Sequence, residues 1–359
     1  MKKILLQVSS PIFANDAIFK WDINNMNEPW RKLKSKLAEL GYELVTADDR
    51  PIDDCAWILF LDSTSVDGLT PVKSGVKSLL KKLLKREAKS SWPNRPLYEE
   101  ALKKNMKDKM AIFLWEGKVN NPDNYTPQIE NRFKYIFTWN DELVDNKKFF
   151  KFFLPVPLRP REAKPLPFQE KKLLVNMSAN RHYPRPNELY SARLKTSAYF
   201  DANYPNDFDL FGARWQIPVT RWQKYFPRLV PRFACYRGTA NDKIATLSRY
   251  KFSLAYENMS GTEGYVTEKI FDILQAGSVP IYWGAPNIET YVNPNAFIDR
   301  RDFKNDAALA VYLKNMKGGE YEKMILAGQE YLKTEQFKKF LPEYFCDRII
   351  EVLNIPKIL

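Results

Sequence analysis

The sequence predicts an α/β protein made of two alternating strand–helix halves. Short apolar runs of strand length recur along the chain, with helical patterns between them. That alternation argues for parallel sheets with helices on both faces. Residues 155 to 167, PVPLRPREAKPLP, hold five prolines, which remove backbone donors and stiffen the chain, and so mark a linker. Residues 251 to 284 read strand, glycine loop, helix, strand, the order of one right-handed parallel crossover. The expected division is 1–160 and 161–359.

In the first half, residues 3 to 8 (KILLQV) form a strand. Trp30 to Leu40 follows as an amphipathic helix ending at Gly41. Tyr42 to Thr46, Ala56 to Leu61, Met110 to Trp115 and Lys134 to Trp139 are further strands. Residues 73 to 90 are a basic amphipathic helix, with Leu79, Leu80, Leu83 and Leu84 on one side and lysines filling the rest. Such a helix could rest on an anionic membrane. The favoured reading is a surface helix with leucines in the core and lysines in water, since the apolar face is only two turns long.

In the second half, Lys172 to Met177 is a strand, and Asn187 caps a helix from Glu188 to about Tyr199. Asp207-Phe208-Asp209 is a DxD triplet. It runs into DLFG, a strand with Phe208 and Leu210 inward and the aspartates outward, so the triplet is structural rather than metal-binding. Asn241 to Arg249, Asn305 to Met316, Glu320 to Leu332 and Phe337 to Leu353 are helical, the last interrupted by Pro342.

Composition narrows the chemistry. The chain has 359 residues, 45% of them hydrophobic, enough for two cores. The net charge of +13 attracts polyanions without choosing among them. No zinc-finger spacing or RNA-binding aromatic signature points to nucleic acid. His182 is the only histidine, so a Ser-His-Asp triad or a multi-histidine metal site has little to build on. Cys55, Cys235 and Cys346 are odd in number and far apart, which reads as buried free thiols in a reducing, cytoplasmic setting. The sequons at Asn124, Asn176 and Asn258 are read as accidental. No run approaches the roughly 20 apolar residues of a membrane span.

The crossover at 251–284 organises the second half. Phe252 to Tyr256 is a buried strand closed by Glu257 and Asn258. Gly261 and Gly264 bracket a turn where the backbone can approach a ligand. A helix is expected from Tyr265 to Ala276, with Ile270, Ile273 and Leu274 on its buried stripe and Gly277 just past its end. Val279 to Trp283 is the next strand. The first turn of such a helix has free N–H groups and the positive end of the dipole, which suit phosphate. Tyr265, Glu268 and Lys269 would share one face of that turn. Lys269 can neutralise a diphosphate, Glu268 can accept from ribose hydroxyls, and Tyr265 offers a ring edge and a hydroxyl.

The blocks KFxLxxEN, YVTEK and VPIYWG, in that order, resemble the donor-binding signature of the α-1,3/1,4-fucosyltransferases (glycosyltransferase family 10), which use GDP-fucose. The resemblance implies a GT-B fold, two Rossmann-like domains facing a cleft, with the acceptor held by the first and the donor by the second. It implies Glu257, Asn258, Tyr265, Glu268 and Lys269 as donor-binding residues. A looser block implies Arg193 as the phosphate-binding arginine, with Arg181 and Arg185 as competitors. WEGKVNNPDNY looks like the family's acidic block and puts the general base on Glu116, with Asp62 as rival. The reaction implied is inverting transfer of L-fucose to a glycan hydroxyl. Basic side chains would do the work of a metal, so no obligatory metal or other cofactor is expected. GDP-fucose and a glycan acceptor, free or carried on a lipid, are the expected partners, with 73–90 as a candidate peripheral membrane contact and no nucleic acid. The alternatives are another nucleotide sugar on the same fold, or a non-catalytic basic protein that binds membranes or polyanions.

Overall fold

The computed structural model describes residues 1–20, 26–69, 92–159 and 166–358. The basic stretch 73–90 and the middle of the proline-rich stretch lie outside the described residues. The chain divides into two compact units, residues 1–153 with 342–359, and residues 154–341.

Among the described residues the first unit holds six strands: β1 Lys2–Gln7, β2 Tyr42–Thr46, β3 Cys55–Leu61, β4 Met110–Leu114, β5 Tyr135–Thr138 and β6 Phe149–Lys151. They pair in the order β2-β1-β3-β4-β5-β6, and every pairing is parallel. A parallel sheet is covered on both faces, so its inner strands read as unbroken apolar runs. Met110 to Leu114 is the clearest case, with all five residues buried.

The second unit holds β7 Lys172–Met177, β8 Phe208–Phe211, β9 Tyr250–Tyr256, β10 Val279–Trp283 and β11 Ile298–Asp299. Their order is β11-β10-β9-β7-β8, again all parallel. The helix Glu268–Ala276 joins β9 to β10 and buries Ile270, Phe271, Ile273 and Leu274. Each such side chain contributes roughly 1.5–3 kcal/mol on leaving water. Phe271 packs on Phe340 and Phe337, with ring centroids 4.5 and 5.5 Å away. Gly277 ends the helix at φ +68°, a left-handed cap that costs glycine least.

Several boundaries differ from expectation. The division falls between 153 and 154 rather than 160 and 161, because Val156 N–H donates to the Phe340 carbonyl and ties the start of the linker to the second unit. The last helix, Pro342–Val352, belongs to the first unit rather than the second. Its Phe345 ring packs against Trp30, Phe113 and Trp115, and Glu343 and Asp347 pair with Lys32 and Lys36. Pro342 begins that helix instead of interrupting one, the first-turn position where its missing N–H is harmless.

The Arg193 helix runs Tyr190–Asn203, and Asn187 does not cap it; Asn187 sits at φ +63° in the turn before. In the DxD triplet, Phe208 and Leu210 are inward as expected, but Asp209 is buried too. Its carboxylate meets Lys172 at 2.7 Å, Arg237 at 2.8 Å and the Tyr250 hydroxyl at 2.7 Å.

Candidate active site

The helix Glu268–Ala276 begins three residues later than its apolar pattern suggests, because Thr267 caps it. Tyr265 and Val266 are therefore buried, non-helical residues ahead of the first turn. Tyr265 does not share a helical face with Glu268 and Lys269.

What fixes the cap is Glu257, at the end of β9 and fully buried. Its carboxylate accepts from Thr267 N–H at 2.8 Å, from Thr267 Oγ1 at 2.7 Å and from Lys269 Nζ at 3.0 Å. A buried carboxylate is costly unless every lone pair is engaged. Here three donors engage it, two from the cap and one from the first turn. Glu257 is thus sealed within the protein, where its carboxylate holds the cap and Lys269 in position. Gly284 makes room for it: a Cβ there would lie 2.5 Å from Glu257 Cγ and 2.5 Å from the Tyr282 hydroxyl.

Asn258 links this cap to Arg193. Its Oδ1 accepts from Arg193 Nη2 at 3.0 Å, and its Nδ2 donates to the Tyr265 hydroxyl at 3.3 Å. Arg193 is buried, with Nε and Nη2 both donating to the Tyr256 carbonyl, at 3.1 and 2.7 Å, and its guanidinium 4.8 Å from the Tyr190 ring. Burial lowers the Arg193 pKa, opposed by Tyr190, Glu257, Tyr265 and Glu268. Nη1 makes no hydrogen bond among the described residues and is not a buried orphan. Arg193 therefore keeps both N–H groups of Nη1 open and a charge that no carboxylate neutralises directly. Of its competitors, Arg181 is exposed and the Arg185 guanidinium lies 5.9 Å from the Tyr183 ring.

Glu268 keeps 47% of its side-chain surface exposed. Surrounding protein acts to raise its pKa, but the charges of Lys269 and Lys243, with its own backbone N–H, outweigh that and hold it at about 2. It stays an ionised acceptor across the physiological range. Lys269, with 20% of its side chain exposed, faces Glu257 on one side and has Glu268 Oε1 3.8 Å away on the other.

The first unit holds a second cluster, where β3 and β4 end. Glu116 is half-buried; Oε2 accepts from Asn120 Nδ2 at 2.8 Å, and Oε1 makes no hydrogen bond among the described residues. Asp62 lies beneath it, buried and at φ +62°. Asp62 Oδ1 accepts from Trp115 N–H at 2.7 Å, Glu116 N–H at 3.1 Å and Asn124 Nδ2 at 2.6 Å. Asn124 Nδ2 and the Tyr125 hydroxyl also reach the Glu116 carbonyl, each at 3.1 Å. Burial first, then the charge of Glu116, pushes Asp62 up to about 7, against the donors from Glu116, Asn124 and Trp115. The rival carboxylate is thus the brace of the loop that presents Glu116.

Residues 216–346 match the family described as "Glycosyltransferase family 10 (fucosyltransferase) C-term". This stretch is similar to the C-terminal domain of the family 10 fucosyltransferases. The matched residues contain the Glu257–Lys269 cap and the Asn258–Tyr265 link, while Arg193 lies before them. The chain is similar to the alpha-(1,3)-fucosyltransferase FucT of Helicobacter pylori, 47% identical over 73 residues, which are 20% of this chain and 15% of that protein. It is 30% identical over 188 residues to the 4-galactosyl-N-acetylglucosaminide 3-alpha-L-fucosyltransferase 9 of Mus musculus, covering 44% of this chain and 52% of that protein. The matches span about half or less of these curated relatives. An alpha1,3-fucosyltransferase of known structure, also solved with GDP-fucose, shares the fold with TM-score 0.54 at 17% identity, covering 98% of this chain and 90% of that one. The two parallel sheets are those of the GT-B class to which the fucosyltransferase and several glucosyltransferases of known structure belong.

Sequence reasoning missed Thr267, Asn124, Tyr125 and the Tyr256 carbonyl. Thr267 was findable, since a threonine preceding Glu-Lys and an apolar stripe has the form of an N-cap. The others meet their partners only through folding. Two sequons also resolve: Asn124 and Asn176 are buried and hydrogen-bonded to protein, so neither can carry a glycan. No helix among the described residues is long and apolar enough to cross a membrane, and Cys55, Cys235 and Cys346 are buried free thiols.

Proposed function

We propose that this chain transfers L-fucose from GDP-fucose to a glycan hydroxyl with inversion at the anomeric carbon. The observation that carries the reading is the network Arg193–Asn258–Tyr265 beside the cap Glu257–Thr267–Lys269, within and just before the residues similar to family 10. A departing nucleoside diphosphate needs cations and N–H donors held in place before the reaction begins. Arg193 and Lys269 are the cations; Glu257 and the Tyr256 carbonyl fix their positions. Glu268, ionised and half-exposed, accepts from ribose or sugar hydroxyls.

Glu116 Oε1 takes the proton of the acceptor hydroxyl as its oxygen bonds to the anomeric carbon. The carbon–oxygen bond to GDP breaks, and the electron pair leaves with the diphosphate. The proposal gives the charge neutralisation to basic side chains, with no obligatory metal. It places donor binding in the second unit and acceptor binding in the first. The buried free thiols favour a reducing, cytoplasmic location.

Calorimetric titration tests the reading. GDP binds in the micromolar range with magnesium chelated, and UDP binds much more weakly. Tighter binding of UDP, or no binding of either, refutes it.

A further inference from the structure

Residues 213 to 234 leave β8 as an excursion whose two ends are buried and whose middle is exposed. Trp215 anchors one end: its indole N–H donates to the Ser178 carbonyl at 2.6 Å, and its ring meets Phe233, the anchor of the other end, edge-on at 5.4 Å. Between them, the short helix Arg221–Tyr225 is closed by a capping box in which Thr220 and Gln223 exchange hydrogen bonds. Gln223 Nε2 also reaches the Leu229 carbonyl at 3.2 Å. The excursion is held in shape, so the exposure of its tip is not the fraying of a loose loop.

The tip is unusual in what it exposes. Ile217, Trp222, Tyr225, Phe226 and Leu229 are all open to solvent, Trp222 at 70% and Tyr225 at 65%. Trp222 and Phe226 stack on each other at 6.1 Å rather than in a core. Interleaved with them are Arg214, Arg221, Lys224, Arg228 and Arg232, all exposed. No acidic residue occurs from Phe211 to Asn241, and none of these five bases forms an ion pair among the described residues. Water is a poor solvent for such apolar density, and exposed patches of this kind mark contact surfaces.

We propose that this tip is an interfacial membrane contact, seated on anionic phospholipid headgroups with Trp222, Tyr225 and Phe226 at the headgroup–acyl boundary. Two independent features fit that occupant. Aromatic side chains with polar edges favour the membrane–water interface. Unpaired lysines and arginines beside them are attracted to anionic headgroups, each contributing roughly fivefold to partitioning. A surface contact asks for no spanning helix. None of its residues is among those assigned above to donor or acceptor.

Co-sedimentation with vesicles tests it, using phosphatidylcholine alone and phosphatidylcholine mixed with phosphatidylglycerol. The chain sediments with the mixed vesicles and not with the neutral ones, and high salt releases it as screening shortens the reach of the charges. The triple variant Arg221→Ser, Lys224→Ser, Arg228→Ser loses on the order of a hundredfold in partitioning. Trp222→Ser with Phe226→Ser loses binding at unchanged net charge, while GDP affinity, which reports folding, stays the same in both variants. The proposal falls if the chain ignores anionic vesicles. It falls equally if both variants bind like the parent and only replacing the lysines of 73–90 releases the chain. Retention on heparin without vesicle binding would overturn it in favour of a polyanionic macromolecule.

Discussion

Replacing Glu257 by glutamine asks whether the buried carboxylate organises the donor site. The residue is fully buried and meets three donors, the nearest at 2.7 Å and the farthest at 3.0 Å. Glutamine is nearly isosteric, so little packing is lost. Its amide oxygen can keep one of the two Thr267 bonds, but its NH2 group then faces the Lys269 ammonium or the Thr267 hydroxyl, donor against donor. Lys269, only 20% exposed, is left with a buried charge and a distant Glu268. Breaking one side of a buried pair costs about 3–5 kcal/mol. In a unit of this size each 1 kcal/mol moves the melting temperature by about 2–4 °C, so the second unit should melt at least about 6 °C lower. Scanning calorimetry reads this as a fall in the second unit's transition while the first unit's stays in place. GDP affinity should fall as well, since the cap and Lys269 shift together. If the glutamine variant melts within about 1 °C of the parent, Glu257 is not an ionised anchor and the account of the cap is wrong.

Other outcomes follow from the same geometry. Gly284→Ala should weaken GDP binding and lower stability by about 1–3 kcal/mol, because its Cβ collides with Glu257 Cγ and the Tyr282 hydroxyl; unchanged titration and melting curves would contradict the fit. Glu116→Ala should abolish transfer of labelled fucose yet leave GDP affinity intact, and loss of GDP binding would move Glu116 out of the base role. Asp62 carries a pH signature. Its pKa rises from 3.8 to about 7 on folding, so between those values the folded state holds a proton that the unfolded state has released. Stability therefore falls as pH rises from about 4 to 7, by about 4 kcal/mol in all. Asp62→Asn keeps an acceptor for the Trp115 and Glu116 N–H groups and should flatten that slope; denaturation curves across the window, with an equal slope in parent and variant, would refute it.

The linear chain determined most of the architecture. Tyr42–Thr46 and Lys172–Met177 were legible to the residue, because each is a short, mostly apolar run of strand length bounded by polar residues. The crossover at 251–284 and its spaced blocks were equally open to reading, since glycine loop, apolar stripe and left-handed Gly277 are local signals. Folding alone decided how the polar residues divide their work. Glu257 and Glu268 stand eleven residues apart in neighbouring blocks and read as equivalent acids, yet one is sealed under a threonine cap and the other remains half-exposed. Asp62 and Glu116 looked like competitors for one role until β3 and β4, lying side by side, set the first as a brace for the second. The return of Pro342–Val352 to the first unit was just as hidden, since Phe345 shows its meaning only once Trp30 and Phe113 surround it. The physical reason is one of range. Backbone periodicity is written in neighbours a few residues apart, whereas burial, and with it the charge and reach of every acid and base here, depends on partners that only the tertiary structure supplies.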